Sequence, residues 1–172
     1  MKIKILLISL LFALPTIQAT AQEQASVLMQ QATAQAKKEH KNVFVMFHAS
    51  WCGWCKKMTK NMNSPACKKF FDDNFVTVEL TVQESPKNKN LENPGADELL
   101  EQYKGEKAGL PFWVILDDKG KVLTDSFNSK GENLGCPSAV DEVAEFKIKL
   151  KKASKLNDRQ IAVIAETFTI KK

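Results

Sequence analysis

After residue 14 the chain has no apolar run approaching the 20 or so residues that a bilayer crossing needs, so nothing beyond the N-terminus marks an embedded protein. Internal repeats and low-complexity linkers are also missing, which excludes a solenoid or a tethered array. Charge is nearly balanced: 25 Lys and Arg stand against 20 Asp and Glu, a formal +5 over 172 residues, too mild to argue for nucleic acid. Cysteine is sparse, with four in all and a single C-x-x-C. A four-ligand zinc site wants a second such pair, so metal capture by His48, Cys52 and Cys55 is the weakest reading, and neither metal nor cofactor is expected.

What the first residues do contain is the pattern of a secretory signal. Lys2 and Lys4 precede the apolar stretch Ile5 to Leu14, and Ala19-Thr20-Ala21 is a small-x-small cleavage site. Residues 1–21 therefore read as a signal peptide and 22–172 as one mature domain, exported, with the periplasm as the expected compartment and secretion as the alternative. An uncleaved anchor is the competing interpretation of the stretch. No cysteine follows it immediately, so a lipid-anchored N-terminus is not indicated. Losing Lys2 and Lys4 leaves a net charge of about +3. A mature chain of about 150 residues buries an adequate core without disulfides, which leaves its cysteines free for chemistry, although two structural bridges are the alternative in an exported protein.

Periodicity lays out the elements. Gln24 to Glu39, with Leu28, Ala32 and Ala36 at helical spacing, predicts an amphipathic helix, and Val43-Phe44-Val45-Met46-Phe47 a strand buried on both faces. Lys56 to Met62 continues as helix. Ser64-Pro65 supplies a cap and a first-turn proline for a kink or new helix to about Asn74. Phe75 to Val82 reads as a strand, Gln83 to Gly95 as a polar surface loop, and Ala96 to Tyr103 as a short helix. Phe112 to Leu116, a turn at Asp117 to Gly120, and Lys121 to Leu123 form a hairpin signal. Ser138 and Asp141 resemble a capping box for a helix to about Leu150, and Asp158 to about Phe168 is a last amphipathic helix bearing Ile161, Ile164, Ala165 and Phe168. The lysines of Lys147 to Lys155 read as the solvated end of a helix.

The chemistry concentrates in Trp51-Cys52-Gly53-Trp54-Cys55, directly after the first apolar strand. Two cysteines three positions apart lie close enough for a small disulfide. The first stands among the free N–H groups of a helix N-terminus, which favour a thiolate. Cys67 lies twelve residues beyond Cys55 and Cys136 in Gly135-Cys136-Pro137. Both read as separate packed thiols, a structural bridge between them being the alternative.

The order of elements, the W-C-x-x-C after the first long strand, and Gly109-Leu110-Pro111 before the hairpin together resemble the thioredoxin superfamily. The likeness covers roughly Gln24 to Leu150. It is nearest to exported bacterial thioredoxin-like proteins whose motif reads W-C-G-W-C-K-K-M, here Trp51 to Met58. It implies a three-layer α/β/α sandwich with a mixed central β-sheet, to which this chain adds a C-terminal helix over about 158–168.

The resemblance also implies roles. Cys52 matches an exposed attacking cysteine and Cys55 a buried resolving one. Pro111 matches a proline held cis beside the dithiol, an ordinary trans proline being the reading from composition alone. Trp51, Trp54, Leu110 and Pro111 are the substrate-binding candidates. Thioredoxins carry a buried aspartate six residues before the first cysteine, and here that place is Met46. Glu79 on the next strand is one substitute, or else a solvated or lysine-paired glutamate. His48 is a second candidate for tuning the dithiol, or else a packed ring.

The Gly-Trp insert matches none of the familiar dipeptides, and potentials in the superfamily span about −270 to −120 mV. The expected activity is thiol–disulfide exchange with protein thiols and disulfides, in the reducing direction because Leu110 precedes the proline. The expected partners are protein substrates and a separate redox partner, membrane-bound or not; the chain is expected to be a monomer. The alternative is a non-catalytic peptide-binding or chaperone module, with a groove beside Trp54, Leu110 and Trp113.

Overall fold

A computed structural model describes residues 22–170. The signal-peptide reading of residues 1–21 lies outside the described residues. Helix α1 (Ala25–Glu39) leads into strand β1 (Asn42–His48), and α2 (Gly53–Met62) and α3 (Lys68–Asn74) follow before β2 (Phe75–Thr81). A 3₁₀ turn (Pro86–Leu91) and α4 (Ala96–Gln102) lead to β3 (Phe112–Leu116) and β4 (Val122–Asp125). Helices α5 (Val140–Lys152) and α6 (Asp158–Phe168) complete the chain. The sheet runs β2-β1-β3-β4, with β1 parallel to β2 and antiparallel to β3.

Alternation along β1 explains the layers, because successive side chains of a strand point to opposite faces. Val43, Val45 and Phe47 join Val78, Leu80, Phe112, Val114 and Leu116 in a core closed by Ala32 and Ala36 of α1 and Leu100 of α4. Phe44 and Met46 point the other way, into a core with Met58, Phe71, Trp113, Phe146 and Ile164. The result is an α/β/α sandwich around a mixed sheet, with β1 inside it. The added helix α6 belongs to this second core. Phe168 packs against Phe71 and Phe146 at centroid distances of 6.4 and 5.1 Å, and Asn157 caps the helix by accepting the Gln160 N–H at 2.9 Å.

Three local expectations are corrected. Pro65 does not open a helix: residues 63–67 form a tight turn in which Ser64 O accepts from Cys67 and Lys68 N–H, and α3 starts at Lys68 with Cys67 as its N-cap. The cap of α5 is Ala139, and the box is closed by Glu142 rather than Asp141. Its Oε2 accepts the N–H groups of Ser138 at 2.8 Å and Ala139 at 3.0 Å, because Glu at the third helical position reaches back where Asp at the second does not. The segment 83–95 is more than a surface loop, since it contains the 3₁₀ turn and buries Glu84 and Asn93.

Candidate active site

Strand β1 ends at His48, and the next residues turn sharply into α2. Cys52 N–H donates to Ala49 O at 3.0 Å, and Cys52 is the N-cap of α2. Its Sγ accepts the Cys55 N–H at 3.0 Å. Cys52 and Cys55 are joined in a disulfide with Cα atoms 5.3 Å apart. A sulfur at this place sits on the positive end of the helix dipole, with a backbone donor already aimed at it, the environment that favours a thiolate on reduction.

The expectation of an exposed Cys52 is corrected. Both cysteines are buried, at 3% and 2% exposure, in a small apolar cluster with Ala49 that Leu110 covers from the opposite loop. What is exposed is the rim, where Trp51 and Trp54 keep 58% and 50% of their surface. Trp54 carries the Lys57 ammonium 4.9 Å from its ring centroid, and the Trp51 indole N–H donates to Gln83 O at 2.9 Å. Trp113 is not part of any groove. It is fully buried and stacked on Phe44, because β3 is covered on both faces and Trp113 pairs with Met46 on the β1 side.

Two clefts flank the disulfide. One, about 350 Å³, brings together Trp54, Leu110, Pro111 and Cys136. The Leu110–Pro111 peptide bond is cis. Cys136 is a free, buried thiol whose pKa burial pushes up to about 11, so it is protonated at neutral pH. Cys67 is likewise free and buried, at the start of α3. The other cleft, about 450 Å³, opens on Cys55 and is lined by His48, Lys56, Thr59, Lys60 and Glu79. Both tuning candidates thus reach the Cys55 side. His48 Nε2 lies 3.2 Å from Thr81 Oγ1, and exposed Glu79 accepts from Thr59 Oγ1 at 2.9 Å. Met46 is buried in the core, and no acid stands in its place.

Two residues that the sequence reading did not single out organise this end of the fold. Asn133 holds the Leu110 loop: its amide nitrogen donates to the carbonyls of Ala108, Gly109 and Pro111 at 3.0 to 3.1 Å, and its Oδ1 accepts from Gly135 N–H. Two N–H donors serve three acceptors, so the bonds are shared. Replacing Asn133 by Asp would turn an attractive hub into a repulsive one. Asn133→Ala is expected to raise the KM for a protein disulfide severalfold and Asn133→Asp more. The Cys52–Cys55 potential should stay within about 10 mV, well under the 30 mV that corresponds to 1.4 kcal/mol. Steady-state kinetics with a redox titration check this; a shifted potential with unchanged KM would refute it.

The second is Glu84, the one carboxylate that is buried among the described residues, at 5% exposure. Both its oxygens are taken by Ser50, whose N–H donates to Oε1 and whose Oγ donates to Oε2 at 2.8 Å. Burial pushes its pKa up, but the Ser50 bonds and nearby His48 outweigh this and hold it below the ordinary glutamate value. With the folded pKa depressed, the stability it contributes is present at neutral pH and lost as pH falls through that folded pKa. Nothing in the polar run around Ser85-Pro86 signals that its neighbour is buried, whereas Asn133, between Gly131 and Gly135, at least stands in a stretch whose glycines mark a shaped loop.

A family description, thioredoxin-like, matches residues 24–118, more than half of the chain. The chain belongs to the thioredoxin-like family, with a C-x-x-C pair closed as a disulfide. It resembles protein disulfide-isomerase A5 of Mus musculus and of Bos taurus, at 62% identity over 29 residues in each case. That stretch is 17% of this chain and only 6% of either relative. A solved disulphide isomerase from Xylella fastidiosa Temecula1 is 21% identical, with 91% of this chain and 95% of that one covered at a TM-score of 0.51; this likeness concerns the fold. Among the described residues no helix is long and apolar enough to cross a membrane, and no group of three or more His, Cys, Asp and Glu is arranged to hold a metal.

Proposed function

We propose that the protein is an exported thiol–disulfide oxidoreductase that reduces disulfides in protein substrates, with residues 1–21 as its signal peptide, 22–172 as its single mature domain, and the periplasm as its compartment. The observation that carries the reading is the Cys52–Cys55 pair at the head of α2, covered by Leu110 of the loop that continues into Pro111. In the reduced protein the Cys52 thiolate attacks one sulfur of a substrate disulfide. The substrate S–S bond breaks, a mixed disulfide forms, and the expelled thiolate takes up a proton. Cys55 then loses its proton toward the cleft of His48 and Glu79, and its thiolate attacks Cys52 Sγ. The second substrate thiolate leaves, two electrons have passed to the substrate, and Cys52–Cys55 is a disulfide again. A separate dithiol partner must return those two electrons for a further cycle.

Trp51, Trp54 and Leu110 provide the apolar rim for an extended substrate segment, and Pro111 shapes the loop beside it. Leu110 before the proline supports the reducing direction. Equilibration with glutathione buffers tests that direction. A potential at or below about −250 mV is expected, and one near the −120 mV of a strong oxidant would reverse the assignment. Export is tested in the same preparation from the source cells, whose mature N-terminus should read from Gln22; an intact Met1 would exclude it.

A further inference from the structure

The loop that carries the dithiol is fastened to the segment after β2 by four hydrogen bonds between three residues on each side. Val82 N–H donates to His48 O at 2.8 Å, the Ser50 N–H and Oγ both donate to Glu84, and the Trp51 indole donates to Gln83 O. The segment accepts two unfavourable features to do so. Gln83 adopts φ +52°, a left-handed conformation that a residue with a Cβ rarely takes, and Glu84 places a carboxylate out of water. Backbone strain and a buried carboxylate thus lie together on the segment that holds the dithiol loop. The fastening acts two residues before Cys52, whose N–H is in turn tied to Ala49 O, so the position of the Ser50 peptide fixes how Cys52 enters α2.

We propose that Glu84 is a positioning residue for the dithiol: it clamps the loop 49–52 through Ser50, and its negative charge sets how readily Cys52 carries a thiolate. This rests on Cys52 being the attacking cysteine. The site has no acid at Met46, and Glu84 brings a carboxylate to the loop from the segment after β2, bonded two residues before Cys52. The groups facing Glu84 are His48 from β1, Lys89 of the 3₁₀ turn and Glu92 just after it, with Asp97 of α4 beyond them. Lys56, Lys60 and Glu79 face Cys55 across the cleft. A carboxylate held at Ser50 opposes a second negative charge on Cys52, so in this proposal its removal favours the thiolate.

The test measures the pH dependence of iodoacetamide alkylation at Cys52, mapped by mass, in the reduced full-length mature protein and in Glu84→Gln, Glu84→Ala and Ser50→Ala. Glu84→Gln keeps shape and an acceptor oxygen but loses the charge, and it is expected to lower the Cys52 pKa by about half a unit. Ser50→Ala leaves the charge and is expected to slow disulfide exchange severalfold with a smaller pKa change. If Glu84→Ala does not fold, the Gln and Ser50 variants still decide. A Cys52 pKa unchanged within about 0.2 units in Glu84→Gln, with only the melting temperature lowered, would show a merely structural glutamate and overturn the proposal. Alkylation reports on the sulfur whether or not the protein turns substrate over. An inactive wild type with a shifted Glu84→Gln pKa would therefore count against the proposed activity and not against the role of Glu84.

Discussion

Cys52→Ser is expected to lower the rate of protein-disulfide reduction by about 10³-fold or more, to the level of the uncatalysed exchange with the added reductant. The hydroxyl that replaces the thiol fits the same place at the head of α2 and can accept the same Cys55 N–H, so the fold should be unharmed. What is lost is the nucleophile: at neutral pH an alcohol is not ionised by a helix dipole that suffices for a thiol. Cys55→Ser should lose turnover to a similar extent for a different reason. Its Cys52 still attacks, but nothing resolves the mixed disulfide, and the enzyme stalls after one event. Circular dichroism on both variants, alongside the kinetics, separates lost chemistry from lost structure. Rates equal to the wild type in both would leave the cleft as a peptide-holding surface and remove the enzymatic reading.

Phe44→Ala is expected to cost about 3–5 kcal/mol, a large part of the 5–15 kcal/mol that a domain of this kind has in total. Phe44 is fully buried at the centre of β1. Its ring stacks on Trp113 at 5.6 Å and meets Phe75 and Phe71 edge-on at 5.8 and 6.2 Å, so truncation opens a cavity between the sheet, α3 and the start of β2. Rings on three elements cannot all close on an alanine, which places the expected loss toward the upper end of the range. The same strand runs straight into the dithiol loop, so the variant should also lose the defined Cys52 position before it unfolds globally. Urea titration measures the loss; a cost under about 1 kcal/mol would mean that the second core is not organised around Phe44.

The strand that carries the site was legible because Val43 to Phe47 is apolar without a break, a pattern that needs both faces covered. Cys52 and Cys55 were legible as a close pair because two cysteines three positions apart after a strand can close a small disulfide, as these do. Trp113 was misplaced for an instructive reason: an aromatic beside Pro111 in sequence reads as a groove wall, yet the pleat turns it to the inner face, onto Phe44. Pro65 fits the first turn of a helix, but Ser64 closes a tight turn first, and local propensity does not distinguish the two. Glu84 was illegible since its burial is made by Ser50, 34 residues away. Burial of a polar side chain is a property of chain closure that no local window contains. For the same reason Cys52 could not be read as buried, because its cover is Leu110 from the opposite loop.

The claim at the centre of this account is that Cys52 attacks protein disulfides and Cys55 resolves the product. Reduced Cys55→Ser protein, mixed with insulin as a disulfide-bearing substrate and resolved on a non-reducing gel, tests it most directly. A covalent adduct mapped to Cys52, released by dithiothreitol and missing when Cys52 is also replaced by serine, is the predicted result. No adduct, or one carried by Cys67 or Cys136, would contradict it.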